Sequence, residues 1–268
     1  VDAGFVSSVE TKGVSGQVGP VRSGRLLFKH IQNFFQNSCL IFAGATDLIV
    51  KDLPYCAQVH NTENGAGSML DIERLIKISE KNAIRRGSNF NYASNSFSEI
   101  PPTGGFPANQ LDFFVSSVNQ TQWIYDPLST SWARYVDNAS EETIFTRDTD
   151  KLTGREISFE NIIVIFVEHE VIRPRIADMH LEMGQLEGGY LFRDGQAYPI
   201  QWSTRATDYE QSTGLRRPIA FQNLDGNPIP LRPGQTWILI ATAYIEVSEV
   251  ETGHWKVRVY SPPGFGEY

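Results

Sequence analysis

Two hydrophobic periods run through the chain. Near its start, Leu26, Leu27, His30, Ile31, Phe34 and Phe35 recur at steps of three and four, which predicts a helix opening at Ser23 and ending at Asn37-Ser38. Cys39-Leu40-Ile41-Phe42-Ala43 has the length and content of a buried strand. A second helix is predicted from Ser68, a good N-cap with Asp71 three residues on. Met69, Ile72, Leu75 and Ile76 give it an apolar stripe, and Gly87 after Arg85-Arg86 gives it a stop.

Between Asn89 and Gln110 the chain turns to Ser, Asn, Pro and Gly, with Pro101-Pro102-Thr103-Gly104-Gly105 at its centre. This is loop composition, and it divides the sequence into halves, 1–110 and 111–268. Beyond it the period is two. Leu111, Phe113 and Val115 alternate with their neighbours. Trp123-Ile124-Tyr125 and Trp132-Ala133-Arg134-Tyr135-Val136 flank a medium hairpin loop. Asn161 to Val167 reads as a strand buried on both faces. Asp194-Gly195 joins two further strands in a tight turn. Ile219-Ala220-Phe221, Thr236 to Ala243 and Trp255 to Tyr260 complete the set. The pattern predicts an α+β chain with two helices in the N-terminal half and mainly antiparallel sheets in the C-terminal half. With few strands of its own, the first half is expected to pack with the second as one body.

Composition fits a strand-and-turn protein: 268 residues, 41% hydrophobic and 12% aromatic, with 22 Gly and 14 Pro. The formal charge of -8 repels phosphate backbones, so nucleic acid is not an expected partner. No run approaches the roughly 20 apolar residues of a membrane helix. The sequence opens on Val1 rather than Met, so any signal peptide or lipid-bearing Cys is expected upstream. Cys39 and Cys56 leave two readings open, a single bridge or two buried thiols.

A set of segments, in order, resembles one family. Gly19-Pro20-Val21-Arg22-Ser23-Gly24-Arg25 enters the first helix. Asp150-Lys151-Leu152-Thr153-Gly154 precedes Asn161-Ile162-Ile163-Val164. Leu191-Phe192-Arg193-Asp194-Gly195-Gln196 leads to Trp202, and Leu231-Arg232-Pro233-Gly234-Gln235-Thr236-Trp237 follows. From about Gly19 to about Ala241 the chain is similar to the YerB-like lipoproteins, a two-part bacterial family of unknown function. The resemblance implies a layered β/β/α sandwich and an extracytoplasmic protein, anchored to the membrane by an upstream lipidated Cys. It supplies no catalytic mechanism. The chain departs from the family where a Pro-His-Asn segment is replaced by Asn64-Gly65-Ala66-Gly67-Ser68.

Three constellations carry candidate chemistry. Arg22, Ser23, Gly24 and Arg25 at a helix start suit an anion, through guanidinium groups and free backbone N–H groups. An Arg pinning the helix to the sheet gives the same pattern. Trp123, Tyr125, Trp132 and Tyr135 share one hairpin and could stack on sugar rings, or fill a core. Glu168, Glu170, Asp178, His180 and Glu182 alternate as metal ligands would on adjacent strands, or as acids on a solvated sheet face. No motif asks for a cofactor. Gly-x-Ser-x-Gly, a phosphate loop ending in Lys-Ser/Thr and Gly-x-Gly-x-x-Gly are all missing from the sequence. The reading is a non-catalytic cell-envelope module that binds or scaffolds, with an anionic wall polymer or an envelope protein as partner. An enzyme acting on a phosphate- or carboxylate-bearing envelope polymer is the alternative. Oligomeric state is open.

Overall fold

The computed structural model describes residues 16–34, 40–53, 55–59, 68–86, 95–138, 142–150, 153–181, 186–205, 208–213 and 219–266. The chain forms two compact units, one of residues 1–93 with 209–218, the other of 94–208 with 219–268.

In the first unit, β1 (Gln17–Val21), α1 (Leu27–Phe34), β2 (Leu40–Phe42), α2 (Asp47–Val50), β3 (Tyr55–Gln58), β4 (Ser68–Asp71) and α3 (Ile72–Arg86) follow one another. Strands β2 and β3 run parallel, and β1 pairs antiparallel with β4. This corrects the start of the second helix. Ser68 to Asp71 is strand, because β1 offers it a backbone ladder; α3 opens at Ile72, whose N–H is bound by the carbonyl of Gly16. Cys56 is disulfide-bonded. The chain's one other cysteine, Cys39, lies outside the described residues.

The second unit holds β5 (Phe106–Ser116), β6 (Asn119–Asp126), β7 (Ser131–Asp137), β8 (Phe145–Arg147), β9 (Ser158–Phe159), β10 (Asn161–Val167), β11 (His169–Arg173), β12 (Ile176–Met179), β13 (Glu187–Arg193) and β14 (Gln196–Ser203). After the short α4 (Asp208–Thr213), which from residue 209 on belongs to the first unit, the second unit continues with β15 (Ala220–Gln222), β16 (Thr236–Thr242), β17 (Ile245–Glu251) and β18 (Gly253–Val259). The expected division at 110 therefore falls inside β5. The Pro- and Gly-rich segment before it belongs to the second unit. Tyr198 Oη donates to the carbonyl of Pro102 at 3.0 Å, and Ser98 N donates to that of Leu231 at 2.9 Å.

Twelve of these strands form one sheet, in the order β16-β10-β13-β14-β5-β6-β7-β8 with β15, β9, β17 and β18 attached. The chain is largely β, and this sheet curls into a half-barrel. Most neighbours are antiparallel. Two pairs, β10 with β16 and β18 with β5, are parallel and link strands far apart in sequence.

The curl brings the two limbs face to face over an aromatic core. Trp132 meets Phe192 edge-on at 5.9 Å, Trp123 lies 5.6 Å from Trp237, and Trp255 lies 5.6 Å from Tyr190. Ile162, Val164, Leu111 and Val257 fill the space between the rings. Arg134 crosses this core, stacked over Trp237 and paired with Asp148. Alternation does the sorting. Apart from Arg134 and Thr121, residues of β5, β6, β7 and β18 whose side chains point into the curl are mostly apolar, and their neighbours along these strands point out.

Candidate binding face on the outer sheet

The outward side chains of β18, β5, β6, β7 and β8 line up in register. Lys256, Asp112, Gln122, Tyr135 and Arg147 stand side by side across five strands. The next row, two residues along, is Arg258, Phe114, Gln120, Asp137 and Phe145, with Glu246 of β17 opposite Arg258. On the other side, His254 stands opposite Gln110. At about 4.8 Å between strands, five strands span roughly 20 Å. These side chains are half-buried or exposed.

Asp112 organises the centre. Its Oδ1 accepts from the amide groups of Gln110 at 3.1 Å and Gln122 at 3.0 Å, and its Oδ2 lies 2.8 Å from His254 Nε2. A carboxylate only accepts, so Nε2 is the donor in this contact. Around this cluster stand the cations. Arg258 lies over Phe114 at 5.0 Å, Arg147 over Tyr135 at 5.3 Å, and Lys256 is exposed. Carboxylate, amide, imidazole, ammonium and ring faces thus share one surface on sheet strands. Such a surface can hydrogen-bond hydroxyls and attract anions. Among the described residues, the hydrogen-bond partners of the His254–Asp112 pair are the amides of Gln110 and Gln122.

Of the residues singled out from sequence, Tyr135 lies on this face and the others fall elsewhere. Trp123 and Trp132 are both 0% exposed, which corrects the sugar-stacking reading. Both point into the curl, where β10, β13 and β16 cover them. Tyr125 packs on Trp132 at 5.4 Å from the same inner face. Only Tyr135 looks outward, beneath Arg147.

Gly24 of the proposed anion turn is buried. Its N–H donates to Gly44, its carbonyl accepts from Arg25, and a Cβ there would meet Leu53 at 2.7 Å. The glycine thus serves packing. Arg22 and Ser23 stay exposed.

Glu170 faces Asp178 across the β11–β12 pair, and His180 Nε2 sits 3.1 Å from Glu170 Oε2. The backbone N–H of His180 bonds to Glu168. Among the described residues, no three His, Cys, Asp or Glu side chains are placed to hold a metal ion, and Glu182 lies outside them. Beside this ribbon His169 is held below the usual imidazole range, mainly by burial, with His180 adding to the effect.

Three of the segments that carried the family resemblance converge on one buried node. Arg193, 0% exposed, donates to Asp194 at 2.6 Å, Pro230 O at 2.8 Å and Ser98 O at 3.0 Å. Arg232 reaches the other oxygen of Asp194 at 2.6 Å. The Asn161 side chain clamps the Arg232 backbone in both directions, at 2.9 and 2.8 Å. Asp194 and Gly195 both have positive φ, 51° and 70°, as a tight hairpin turn requires.

These segments lie within residues 111–238, which match the family described as "Protein of unknown function (DUF3048) C-terminal domain". Over most of its length the chain resembles one YerB-like protein in particular. It is 25% identical over 240 residues to "Putative lipoprotein YerB" of Bacillus subtilis (strain 168), covering 83% of this chain and 66% of that protein, just under two thirds of its length. The crystal structure of the YerB protein from Bacillus subtilis shares the fold, with a TM-score of 0.60 at 23% identity, over 84% of this chain and 74% of that one.

Proposed function

We propose that this chain is a non-catalytic module of the bacterial cell envelope, tethered by a lipid on an upstream Cys, that binds an anionic wall polymer on the outer face of β18, β5, β6 and β7. The observation that carries the reading is the Asp112-centred cluster flanked by Lys256, Arg258 and Arg147. Its amide, imidazole and carboxylate groups suit sugar hydroxyls, and its cations suit the phosphates or carboxylates between them. Arg193 and Arg232 hold the hairpin node through Asp194, apart from this face.

Binding of purified anionic wall polymer, compared with the same polymer stripped of its charged groups, tests this. The charged polymer should bind, more weakly as salt rises. Lys256→Ala and Arg258→Ala should each weaken binding about tenfold or more, the size of one lost charge-assisted contact, at nearly unchanged melting temperature. No binding by the natural protein, or equal binding by both variants, would refute the proposal.

A further inference from the structure

Among the described residues the curled sheet leaves several strands with one open edge, and all of these but β16 are guarded. Strands β8 and β15 are three residues long. Strand β17 carries Glu246, Glu249 and Glu251, and its register against β18 breaks between the last two. Short length, charge and bulges are the usual means of keeping an open ladder from pairing with another chain.

Strand β16 has none of them. It reads Thr236-Trp237-Ile238-Leu239-Ile240-Ala241-Thr242, seven residues with no charge, proline or glycine. Its register with β10 is unbroken from Asn161–Thr236 to Val167–Thr242. Among the described residues β10 is its sole ladder partner. Ile238 is 38% exposed.

We propose that the open edge of β16 pairs antiparallel with β16 of a second copy of this chain, about a two-fold axis through Leu239. The sequence of the strand is its own complement in that register. Leu239 faces Leu239, Ile238 faces Ile240, Trp237 faces Ala241, and Thr236 faces Thr242. Each opposed pair shares a face, since all the sums of positions are even and side chains alternate with period two. The largest ring thus stands opposite the smallest side chain, and no like charges meet. A two-fold arrangement closes after two copies and leaves no further β16 edge open, so it ends in a dimer rather than a fibre.

Sedimentation of the purified chain over a wide concentration range tests the proposal, together with amide hydrogen exchange on the same samples. The natural protein should dimerise, and amides of 236–242 should lose protection on dilution in step with the dimer. Ile238→Lys brings an ammonium to the seam from each copy, and should raise the dissociation constant about tenfold or more. The dilution arm needs no variant, so it decides the question even if Ile238→Lys folds poorly. A protein that stays monomeric throughout would overturn the proposal. So would a dimer whose 236–242 protection ignores dilution, one that a folded Ile238→Lys variant leaves intact, or a monomer that takes an added extended peptide along β16.

Discussion

Asp194 and Arg232 lie 38 positions apart and meet at 2.6 Å, while the same carboxylate holds its neighbour Arg193 at 2.6 Å from its other oxygen. One acid at a hairpin turn thus ties together two strand ends and the segment leading into β16. The arrangement sets the cost of removing any member.

Arg193→Met should be among the most destabilising single substitutions in the second unit. It leaves the carbonyls of Ser98 and Pro230 without their donor and removes one of the two guanidinium partners of Asp194, whose other oxygen stays with Arg232. Buried groups left unsatisfied at about 1–3 kcal/mol each put the cost at about 3–5 kcal/mol. Thermal unfolding followed by circular dichroism should show a drop of about 10 °C in Tm, on the scale of 2–4 °C per kcal/mol for a body of this size. A shift of a degree or two would mean that the node is dispensable.

A second lesion should appear where the chain enters β16. Gly234 has φ of +134°, and the space a Cβ would occupy is taken by the Glu160 carboxylate, which accepts from Gln235 N at 2.5 Å. Gly234→Ala should therefore cost about 1–3 kcal/mol from backbone strain, with crowding added. Adding Glu160→Ala to that variant relieves the crowding and leaves the strain. A double-mutant cycle by urea unfolding should therefore show the two changes to be less than additive.

Acid should weaken the fold in a window set by His169. Burial holds its pKa below the ordinary 6.5, so the folded protein keeps it neutral while the unfolded chain takes up a proton. Stability is then fully present above about pH 6.5 and falls as pH drops toward the folded value. Urea midpoints across this range should decline with falling pH, and His169→Gln should flatten part of that slope. An unchanged slope would place the acid sensitivity in other groups.

Much of the second unit was legible because its patterns are local. Ile162 to Val167 is uniformly apolar and forms β10 with the expected bounds, and Asp194-Gly195 makes the expected turn. What escaped reading depends on distant partners. Ser68 to Asp71 has a helix-start sequence, yet β1, some 50 residues earlier, draws it into a ladder. The parallel pairing of β10 with β16 joins Asn161 to Thr236, which no turn signal announces. The outer face was hidden for the same reason. Gln110, Asp112 and Phe114 show as the alternate positions of β5, but His254 reaches Asp112 across 142 residues through a parallel register. Trp123 and Trp132 were visible as a pair, but only the direction of the curl decides that they face inward.

The most direct test of the account is a map of where wall polymer touches the chain. Hydrogen exchange of the full chain, with and without purified anionic wall polymer, should show new protection concentrated in residues 108–124, 131–137 and 253–259. Protection centred on Arg22 and the first unit, or none anywhere at saturating polymer, would contradict the account.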